Sequence, residues 1–323
     1  MNAVGTAPTA AGQGPALQTA AGQGPALRTA AEHGPALRVA HPAITVRRTV
    51  LPVDSARLGR MAIASLHAEL ACAPKPGLVT PFSTGSHADM DAGTFLRSLF
   101  ALRHYYRQIA CAGAQDAPFE TLRMLGIAAE AAMLRATNGV NTHRGAIFSL
   151  GLLVAAAARG RAHRGTALSA EQVCLQVKHW ADDLIQAPLN AGSPGQRARA
   201  QHRVPGVREQ AADGFPLLRK LAVPALRDAL GAGLRREAAL CHTLMQLVAV
   251  VDDLNLLHRG GAAGLAWAKA EAAAFLHAGG AHSADWRQRL ARIDAGFVAR
   301  RLSPGGSADL LACAWFLLQQ EGA

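Results

Sequence analysis

The sequence predicts an all-α fold: a single compact multi-helix domain over residues 50–323, behind a disordered repetitive tail over residues 1–49. Two observations carry this prediction. Beyond residue 50, apolar residues recur with the 3.6-residue period of a helix, and the alternating Val, Ile and Thr runs typical of strands are scarce. Only residues 43–53 form a possible strand. Half of the 323 residues are hydrophobic, which is enough to bury one large core.

The tail contains three copies of a ten-residue unit in residues 9–38: TAAGQGPALQ, TAAGQGPALR and TAAEHGPALR. Each copy has a Gly-Pro pair, which disfavours both helix and strand, and a single leucine to bury. A ten-residue unit is also shorter than the repeats that stack into solenoids. We therefore expect the folded part of the chain to begin near Val50.

Four apolar stripes predict long helices after the tail. They consist of Phe95, Leu99, Leu102, Tyr106 and Ile109; Val173, Val177, Trp180 and Leu184; Leu240, Leu244, Leu247, Val251 and Leu254; and Trp286, Leu290, Ile293 and Phe297. Ser169 and Gln172 form a possible capping box before the second stripe, and Ser283 is the expected N-cap of the fourth. Further helical patterns cover residues 56–71, 119–136, 143–158, 263–277 and 307–318. Residues 188–206 predict a long loop, because they are rich in Gly, Pro, Ser and Arg.

The net charge of +11 suits either a nucleic acid or a small polyanionic ligand. Basic residues concentrate in residues 197–236, where Phe215 is the one aromatic residue, so stacking on single-stranded bases has little support. No uncharged apolar stretch reaches the roughly 20 residues that a bilayer span needs. The longest, residues 145–158, predicts a buried helix. Five dispersed cysteines without CxxC, and an N-terminus that does not resemble a secretory signal, favour the cytoplasm.

Familiar nucleotide and hydrolase motifs are absent from the sequence. There is no GxxxxGK[ST], no GxGxxG after a strand, no HExxH and no GxSxG. A nucleotide would therefore be bound by helix ends, charged side chains and a metal ion.

Dense polar segments interrupt the apolar sequence, and the first three precede or follow predicted helices. Residues 74–78 hold Lys75 between two prolines, although they also suit an ordinary helix end. Residues 85–91 offer carboxylates, a hydroxyl and an imidazole at a helix N-terminus, which suits Mg²⁺ with phosphate, whereas Asp91 alone would suit an N-cap. Residues 138–145 open an apolar helix with polar side chains that would meet an anion.

The later polar segments have weaker individual signals. Residues 206–209 and 214–216 lie in the basic region and also suit a salt-bridged helix start. In residues 252–261, helical spacing places Asp252, Asn255 and either His258 or Arg259 on one face, which suits a metal or acid–base pair; Arg259 would equally complement a helix dipole. Residues 303–309 predict a turn before a terminal helix. Taken together, the segments indicate one convergent site.

These segments resemble, in order, the triphosphoribosyl-dephospho-CoA synthases, which serve the prosthetic groups of citrate lyase and malonate decarboxylase. The matching stretches are residues 74–79, 85–87, 89–91, 141–148, 214–216, 255–261 and 303–311. The family usually has Asp-Thr-Asn where this chain has Asp253-Leu254-Asn255, so a hydroxyl contact at position 254 is lost. The repetitive tail lies outside the resemblance.

The resemblance implies a transfer in which ATP donates its 5-triphosphoribosyl group to the 2′-hydroxyl of 3′-dephospho-CoA and adenine leaves. An α-linked product from a β-linked donor implies one inversion, hence direct displacement. A separate phosphoribosyl-dephospho-CoA transferase would then attach the product to a serine of an acyl-carrier subunit. The overall sequence of residues 258–261 and 303–311 resembles the malonate decarboxylase branch more, with citrate lyase as the alternative.

The resemblance and the side-chain chemistry together suggest a role for each polar residue. The predicted catalytic residues are His87 and Glu209 for proton transfer and Asp253. The predicted ligands of Mg²⁺ or neighbours of the ribose are Asp89, Asp91, Asp252 and Asp253. The predicted substrate-binding residues are Lys75, Gly85, Ser86, Asn141, Thr142, His143, Arg144, Arg208, Asn255, His258 and Arg259.

Two other functions remain open at this point. A Mg²⁺-dependent N-glycosyl hydrolase of the ADP-ribosylglycohydrolase kind would release free triphosphoribose without dephospho-CoA. A basic helical nucleic-acid-binding module would bind less tightly as salt rises and would be indifferent to Asp89 or Asp253. The acidic residues within the polar segments argue against nucleic acid as the ligand. Nothing in the sequence favours binding to a membrane.

Overall fold

The computed structural model describes residues 53–187, 204 and 206–322. In this part of the chain the regular structure is helical, and the one β-bridge joins Thr80 to Ser83. The all-α prediction is therefore confirmed. The predicted tail, nearly all of the possible strand at 43–53 and nearly all of the predicted loop at 188–206 lie outside the described residues.

The described helices follow one another with short connections. They are α1 Ser55–Ala71, α2 Ala92–Ala114, α3 Phe119–Ala136, α4 Arg144–Arg164, α5 Ala170–Gln176, α6 Ala181–Gln186, α7 Val207–Ala212, α8 Val223–Gly231, α9 Arg236–Val250, α10 Leu254–His277, α11 Trp286–Ala299 and α12 Gly305–Glu321. Short 3₁₀ turns cover Val177–Trp180 and Gly280–His282, and a π-helical turn covers Leu218–Ala222.

Helix α4 is the centre of the core. Its apolar residues are buried all round, and Leu150, Leu153 and Val154 have no exposed surface. Helices α2, α3 and α12 pack against it, and α1 packs against α2 and α12. The prediction of a buried helix at 145–158 is confirmed.

Within the described residues, two stretches are long and apolar enough to cross a membrane. One is α4, which is 78% buried over the tested window and is accounted for as a core helix. The other is the pair α9 and α10, which counts only if these two helices, bent by 58° at their junction, are taken as one span.

The helix termini confirm some predicted caps and correct others. The capping box at Ser169 and Gln172 is present. Asp91 caps α2 in a capping box with Thr94. The cap expected at Ser283 is wrong: Asp285 is the N-cap of α11, and the Ser283 carbonyl only accepts the Trp286 N–H.

Two of the apolar stripes are divided between helices. The second stripe passes through α5, a 3₁₀ turn and α6. The third ends with α9 at Val250, and Leu254 begins α10. Asp252 therefore lies in a non-helical connection, and the prediction that it shares a helical face with Asn255 is wrong. Helix α10 also continues through Gly260 and Gly261, with a kink at Gly261.

The chain direction brings several helix ends to one end of the fold. Helices α1, α3, α9 and α11 end there, and α2, α4, α10 and α12 begin there. Contacts between the connections confirm the convergence: the Asp253 carboxylate joins Ser307, and Ser98 in α2 joins His143. Because helix N-termini present free N–H groups and the positive end of the dipole, this end of the fold favours anions.

Candidate active site

The buried polar groups at this end of the fold form the inner side of the candidate site, which is called its floor. They include an ion pair. The Lys75 ammonium lies 2.5 Å from Glu69 Oε1 and 2.6 Å from the Glu69 carbonyl oxygen, and Lys75 is only 2% exposed. Removing one partner of such a pair leaves an uncompensated buried charge. Lys75 is therefore held against the C-terminal end of α1 by Glu69.

Asp253 is a buried carboxylate that joins two helices. It caps α10, because Oδ1 accepts the N–H groups of Asn255 and Leu256. Its Oδ2 accepts the backbone N–H and the hydroxyl of Ser307 at 2.8 and 3.0 Å. Burial raises the pKa of Asp253, and these hydrogen bonds oppose the rise. Both oxygens thus hold the first turns of α10 and α12 together.

His143 lies at the start of α4 with a polar atom that has no partner. Its Nδ1 is 2.7 Å from Ser98 Oγ and 3.1 Å from Thr142 Oγ1, whereas Nε2 is buried without a hydrogen-bond partner among the described residues. Burial, aided by the nearby Lys75 ammonium, lowers the pKa of His143 to about 3. The imidazole is therefore neutral. An unpaired buried nitrogen costs about 1–3 kcal/mol, which a ligand atom would offset.

Asp309 is a further acidic group beside this floor. It lies in the second turn of α12, and a Cβ on Gly145 would collide with its carboxylate, so Gly145 allows α4 and α12 to meet. Burial, with the negative charges of Glu69 and Asp253, raises the pKa of Asp309 well above its usual value. This setting favours the protonated form of the Asp309 carboxyl group.

A set of hydrogen bonds around Arg259 joins the connections next to the floor. This set is called the rim of the site. Its NH1 group donates to the carbonyl oxygens of Ser86 and Arg301, and its NH2 group lies 3.1 Å from His87 Nδ1. Since arginine only donates, Nδ1 accepts, and the His87 proton is on Nε2, 2.9 Å from Ser303 Oγ. Burial first, and Arg259 second, lower the pKa of His87. Both ring nitrogens of a neutral His87 are therefore engaged.

Two predicted ligand-binding residues hold the connections together instead of facing a groove. Ser86 donates its hydroxyl to the Leu302 carbonyl at 2.5 Å, and its N–H to the Gly77 carbonyl. Gly77 and Gly85 have positive φ values of 69° and 57°, and a Cβ on either would strike backbone atoms. Glycine is thus required for backbone packing within the site.

The remaining residues predicted at this end lie at its solvent side. Asn141 accepts the Arg144 N–H, and the Arg144 guanidinium is paired with Glu130 at 2.5 Å. Asn255 and His258 are exposed on the first turns of α10. Asp89 is 60% exposed by its side chain, and Asp91 is exposed as a helix cap.

The fourth predicted segment is separate from these contacts. Glu209 Oε2 accepts the Gly206 N–H, and Arg208 donates to the Ala187 carbonyl at the end of α6. Helix α7 packs against α6 and the preceding 3₁₀ turn. These described contacts do not join Arg208 or Glu209 to the connections that carry His87 and Asp253.

The predicted metal ligands do not form a cage. Among the described residues, no three His, Cys, Asp or Glu side chains are grouped so as to hold a metal ion. Asp252 is paired with Lys269 at 2.5 Å, both oxygens of Asp253 accept hydrogen bonds, and Asp91 caps α2. The chain alone therefore does not fit a pre-formed Mg²⁺ site.

Several residues of this site were not among the predicted functional residues: Glu69, Ser98, Ser303, Ser307 and Asp309. Three of them belong to the polar segment 303–309, which on sequence grounds suits a simple turn. Their position beside Asp253 and Gly145 depends on how α12 meets α4 and α10, which no local pattern reveals.

Comparison with known proteins identifies the family. The family model described as CitG: ATP:dephospho-CoA triphosphoribosyl transferase matches residues 55–323. A 2-(5''-triphosphoribosyl)-3'-dephosphocoenzyme-A synthase of Pectobacterium atrosepticum is 40% identical over 281 residues, 84% of this chain and 90% of the relative. Proteins named as probable synthases of this kind are 41% identical in Pectobacterium carotovorum, over 78% of this chain and 85% of the relative, and 36% identical in Acinetobacter calcoaceticus, over 82% and 91%. No solved structure matches the chain. The chain therefore belongs to the ATP:dephospho-CoA triphosphoribosyl transferase family and is a transferase.

Proposed function

We propose that the chain transfers the 5-triphosphoribosyl group of ATP to the 2′-hydroxyl of 3′-dephospho-CoA and releases adenine, at the end of the fold where α2, α4, α10 and α12 begin. The observation that carries this location is the unpaired buried nitrogen of His143 beside the buried pair Lys75–Glu69, at a convergence of helix N-termini. The relatives named for this synthase support the activity.

The triphosphate would bind at the rim. Helix N-termini attract phosphate oxygens, and arginine forms strong charge-assisted bonds with them. Arg259 is held by Ser86, Arg301 and His87, which fixes the direction of its guanidinium. Arg144 would contribute after exchanging part of its contact with Glu130. Lys75 and His143 would bound the inner side of the ligand.

The reaction would then be a direct displacement. The acceptor 2′-oxygen forms a bond to C1′ of the ATP ribose as the bond from C1′ to adenine N9 breaks. The hydroxyl proton passes to solvent, adenine takes up one proton from an acid of the site, and that acid regains a proton from solvent. The Asp253 carboxylate would stabilise the oxocarbenium-like ribose. Asp309 would be the acid that protonates adenine, because burial and the neighbouring negative charges raise its pKa and so favour its protonated form. A proton-transfer role for His87 requires Arg259 or Ser303 to release a ring nitrogen; Glu209 stays a prediction.

Mg²⁺ would enter this site with the phosphates of ATP. Mg²⁺ commonly uses one or two carboxylates plus substrate phosphates rather than a cage made by protein alone. The exposed Asp89 is suited to such a contact.

We further propose that the product supplies the acyl-carrier subunit of malonate decarboxylase in the cytoplasm, through a phosphoribosyl-dephospho-CoA transferase, with citrate lyase as the alternative. Incubating the product and that transferase with each purified acyl-carrier subunit tests the branch. Preferential modification of the citrate lyase subunit would contradict our choice.

A chromatographic assay tests the activity. Incubation with ATP and Mg²⁺ should release adenine only when 3′-dephospho-CoA is present, together with a product heavier by one triphosphoribosyl group. Adenine with free triphosphoribose in the absence of dephospho-CoA would indicate a hydrolase instead. Binding to nucleic acid that weakens steeply as salt rises, without adenine release, would indicate a nucleic-acid-binding module.

Asp253→Asn and Asp252→Asn form a matched pair for locating the site. Asp253→Asn places an amide among N–H donors, so we expect it to lower the free energy of unfolding by roughly 1–3 kcal/mol and adenine release by at least about tenfold. Asp252→Asn removes only an exposed ion pair and should change stability by less than about 1 kcal/mol. If folded Asp253→Asn releases adenine at the normal rate, Asp253 is outside the reacting centre.

A further inference from the structure

A groove with a volume of about 990 Å³ runs along α1. Helix α2 forms one wall, and residues of α9 and α12 form the other. Its floor extends from Ala56 to Ala71, a distance of about 22 Å at 1.5 Å per helical residue. At one end the groove reaches Cys72, which follows α1 at the end of the fold that carries the candidate active site.

The groove is cationic. Arg60, Arg107 and Arg236 line it, are exposed, and form no hydrogen bond or ion pair with other described residues through their side chains. The one carboxylate in its described lining, Glu237, is 2.5 Å from Arg287. The unpaired guanidinium groups favour an anionic ligand.

The same groove has an apolar surface. Phe100 is 67% exposed and Leu96 is 48% exposed, both on the α2 wall, and Trp315 lies on the opposite side. The Arg103 guanidinium lies 3.8 Å from the centroid of the Phe100 ring and covers one of its faces, so a flat ligand would pack on the other face. An elongated ligand with both apolar and anionic parts fits this combination.

We infer that this groove binds 3′-dephospho-CoA, with its nucleoside toward the end at Cys72 and its diphosphate against Arg60, Arg107 and Arg236. Dephospho-CoA is a linear anion in which a diphosphate separates adenosine from a long, partly apolar pantetheine arm. Its adenosine would pack on Leu96 and Phe100, its 2′-hydroxyl would face the candidate active site, and its arm would continue past the arginines. The inference rests on the proposed function, and it adds a place for the acceptor.

Charge reversal in the groove tests the inference. Arg60→Glu and Arg107→Glu should raise the KM for 3′-dephospho-CoA at saturating ATP by at least about tenfold, while the KM for ATP stays within about twofold. Arg292→Glu is the matched control, since Arg292 is exposed on α11, outside the groove lining, and has no ion pair among the described residues. Its two KM values should equal those of the unmodified chain.

A bulky substitution provides a test without any change of charge. Ala64 is an exposed residue of the groove floor, so Ala64→Trp fills the groove and should also raise the KM for dephospho-CoA alone. Thermal unfolding of each variant confirms that it is folded. Groove variants with unchanged KM for dephospho-CoA overturn the groove assignment but leave the transfer reaction in place.

Two other outcomes would also overturn the assignment of the groove to dephospho-CoA. If the unmodified chain makes no product from ATP and dephospho-CoA and does not bind dephospho-CoA by calorimetry, the proposed function and the groove assignment both fail. If sedimentation velocity shows that Arg60→Glu or Arg107→Glu converts a dimer into a monomer while the KM for dephospho-CoA is unchanged, the groove is an interface between copies of the chain.

Discussion

Asp252 and Asp253 are neighbours in the chain but lie in opposite environments. The Asp252 side chain is half exposed and pairs with Lys269, whereas Asp253 is 1% exposed and joins α10 to α12 through Ser307. The difference arises because α9 ends at Val250 and the chain turns before α10 begins. A role for either carboxylate thus depends on the turn between two helices, and the paired substitutions proposed above distinguish them.

His143 gives a prediction about the pH dependence of stability. The unfolded imidazole has a pKa of 6.5, and burial lowers the pKa of the folded one to about 3. Above pH 6.5 both states are neutral and nothing changes. As pH falls below 6.5, only the unfolded state gains the proton, so folding loses roughly 2 kcal/mol by pH 5.

Urea unfolding at pH 7 and pH 5 measures the part of the free energy of unfolding that depends on His143. We expect His143→Gln to lose about 2 kcal/mol less between these two pH values than the unmodified chain, whatever its stability at pH 7. Equal losses in the two proteins would show that the imidazole takes up its proton in the folded state.

At the scale of elements, the connections at the active-site end are joined by hydrogen bonds between side chains and backbone groups. The 72–91 connection bonds to the 300–304 connection through Ser86 and Leu302, and Gly77 donates its N–H to Asp294 of α11 at 2.8 Å. This interlocking fixes the positions of Arg259 and His87, because both bind to these connections. The rim of the site is therefore held by hydrogen bonds between segments that are far apart in the chain.

Gly77→Ala should disturb this packing strongly. Its φ is 69°, and the added Cβ would strike the Leu302 carbonyl, so we expect a loss of roughly 2–4 kcal/mol in the free energy of unfolding and a large loss of activity.

Gly139→Ala is the control for backbone strain alone. Its φ is also positive, at 85°, but no atom lies within 4 Å of the added Cβ, so a loss of only about 1 kcal/mol is expected by urea unfolding. Similar losses for both variants would mean that the contact at Leu302 contributes nothing.

At this scale, periodicity predicted most helices correctly. The stripe at Phe95 became α2 and that at Trp286 became α11, since an apolar face is a local property of about four turns. The breaks were missed: Leu240 and Leu254 share a period but lie on different helices. A break of three residues preserves the apolar spacing, so the pattern does not reveal it.

At the scale of the whole molecule, the candidate site is located by four helices that begin at the same end of the fold. Helices α2, α4, α10 and α12 begin at the same end, and the buried Lys75 and Asp253 and the partly buried Asp309 lie near these helix starts. Repulsion among the acids is reduced because Lys75 neutralises Glu69 and because the raised pKa of Asp309 favours its protonated form. The assembly is thus suited to a polyanion at its rim and to proton transfer at its floor.

A chain of residues 50–323 should keep the full activity. The family match begins at residue 55, and α1 carries its own N-cap at Asp54, which accepts the Arg57 N–H. We expect kcat/KM for both substrates unchanged and Tm within about 2 °C of the full-length value. A loss of activity in the folded truncated protein would place part of residues 1–49 at the site.

The amino-acid sequence established the all-α class, the order of the helices and the family, because helical periodicity and short motifs are local and are read within a few turns. It also indicated that scattered polar segments form one site. It did not reveal that Lys75 turns inward to Glu69, that Asp253 joins two helices, or that Asp309 belongs to the floor. Those facts arise from contacts between helix ends far apart in the chain, where burial and neighbouring charge decide what each polar group can do.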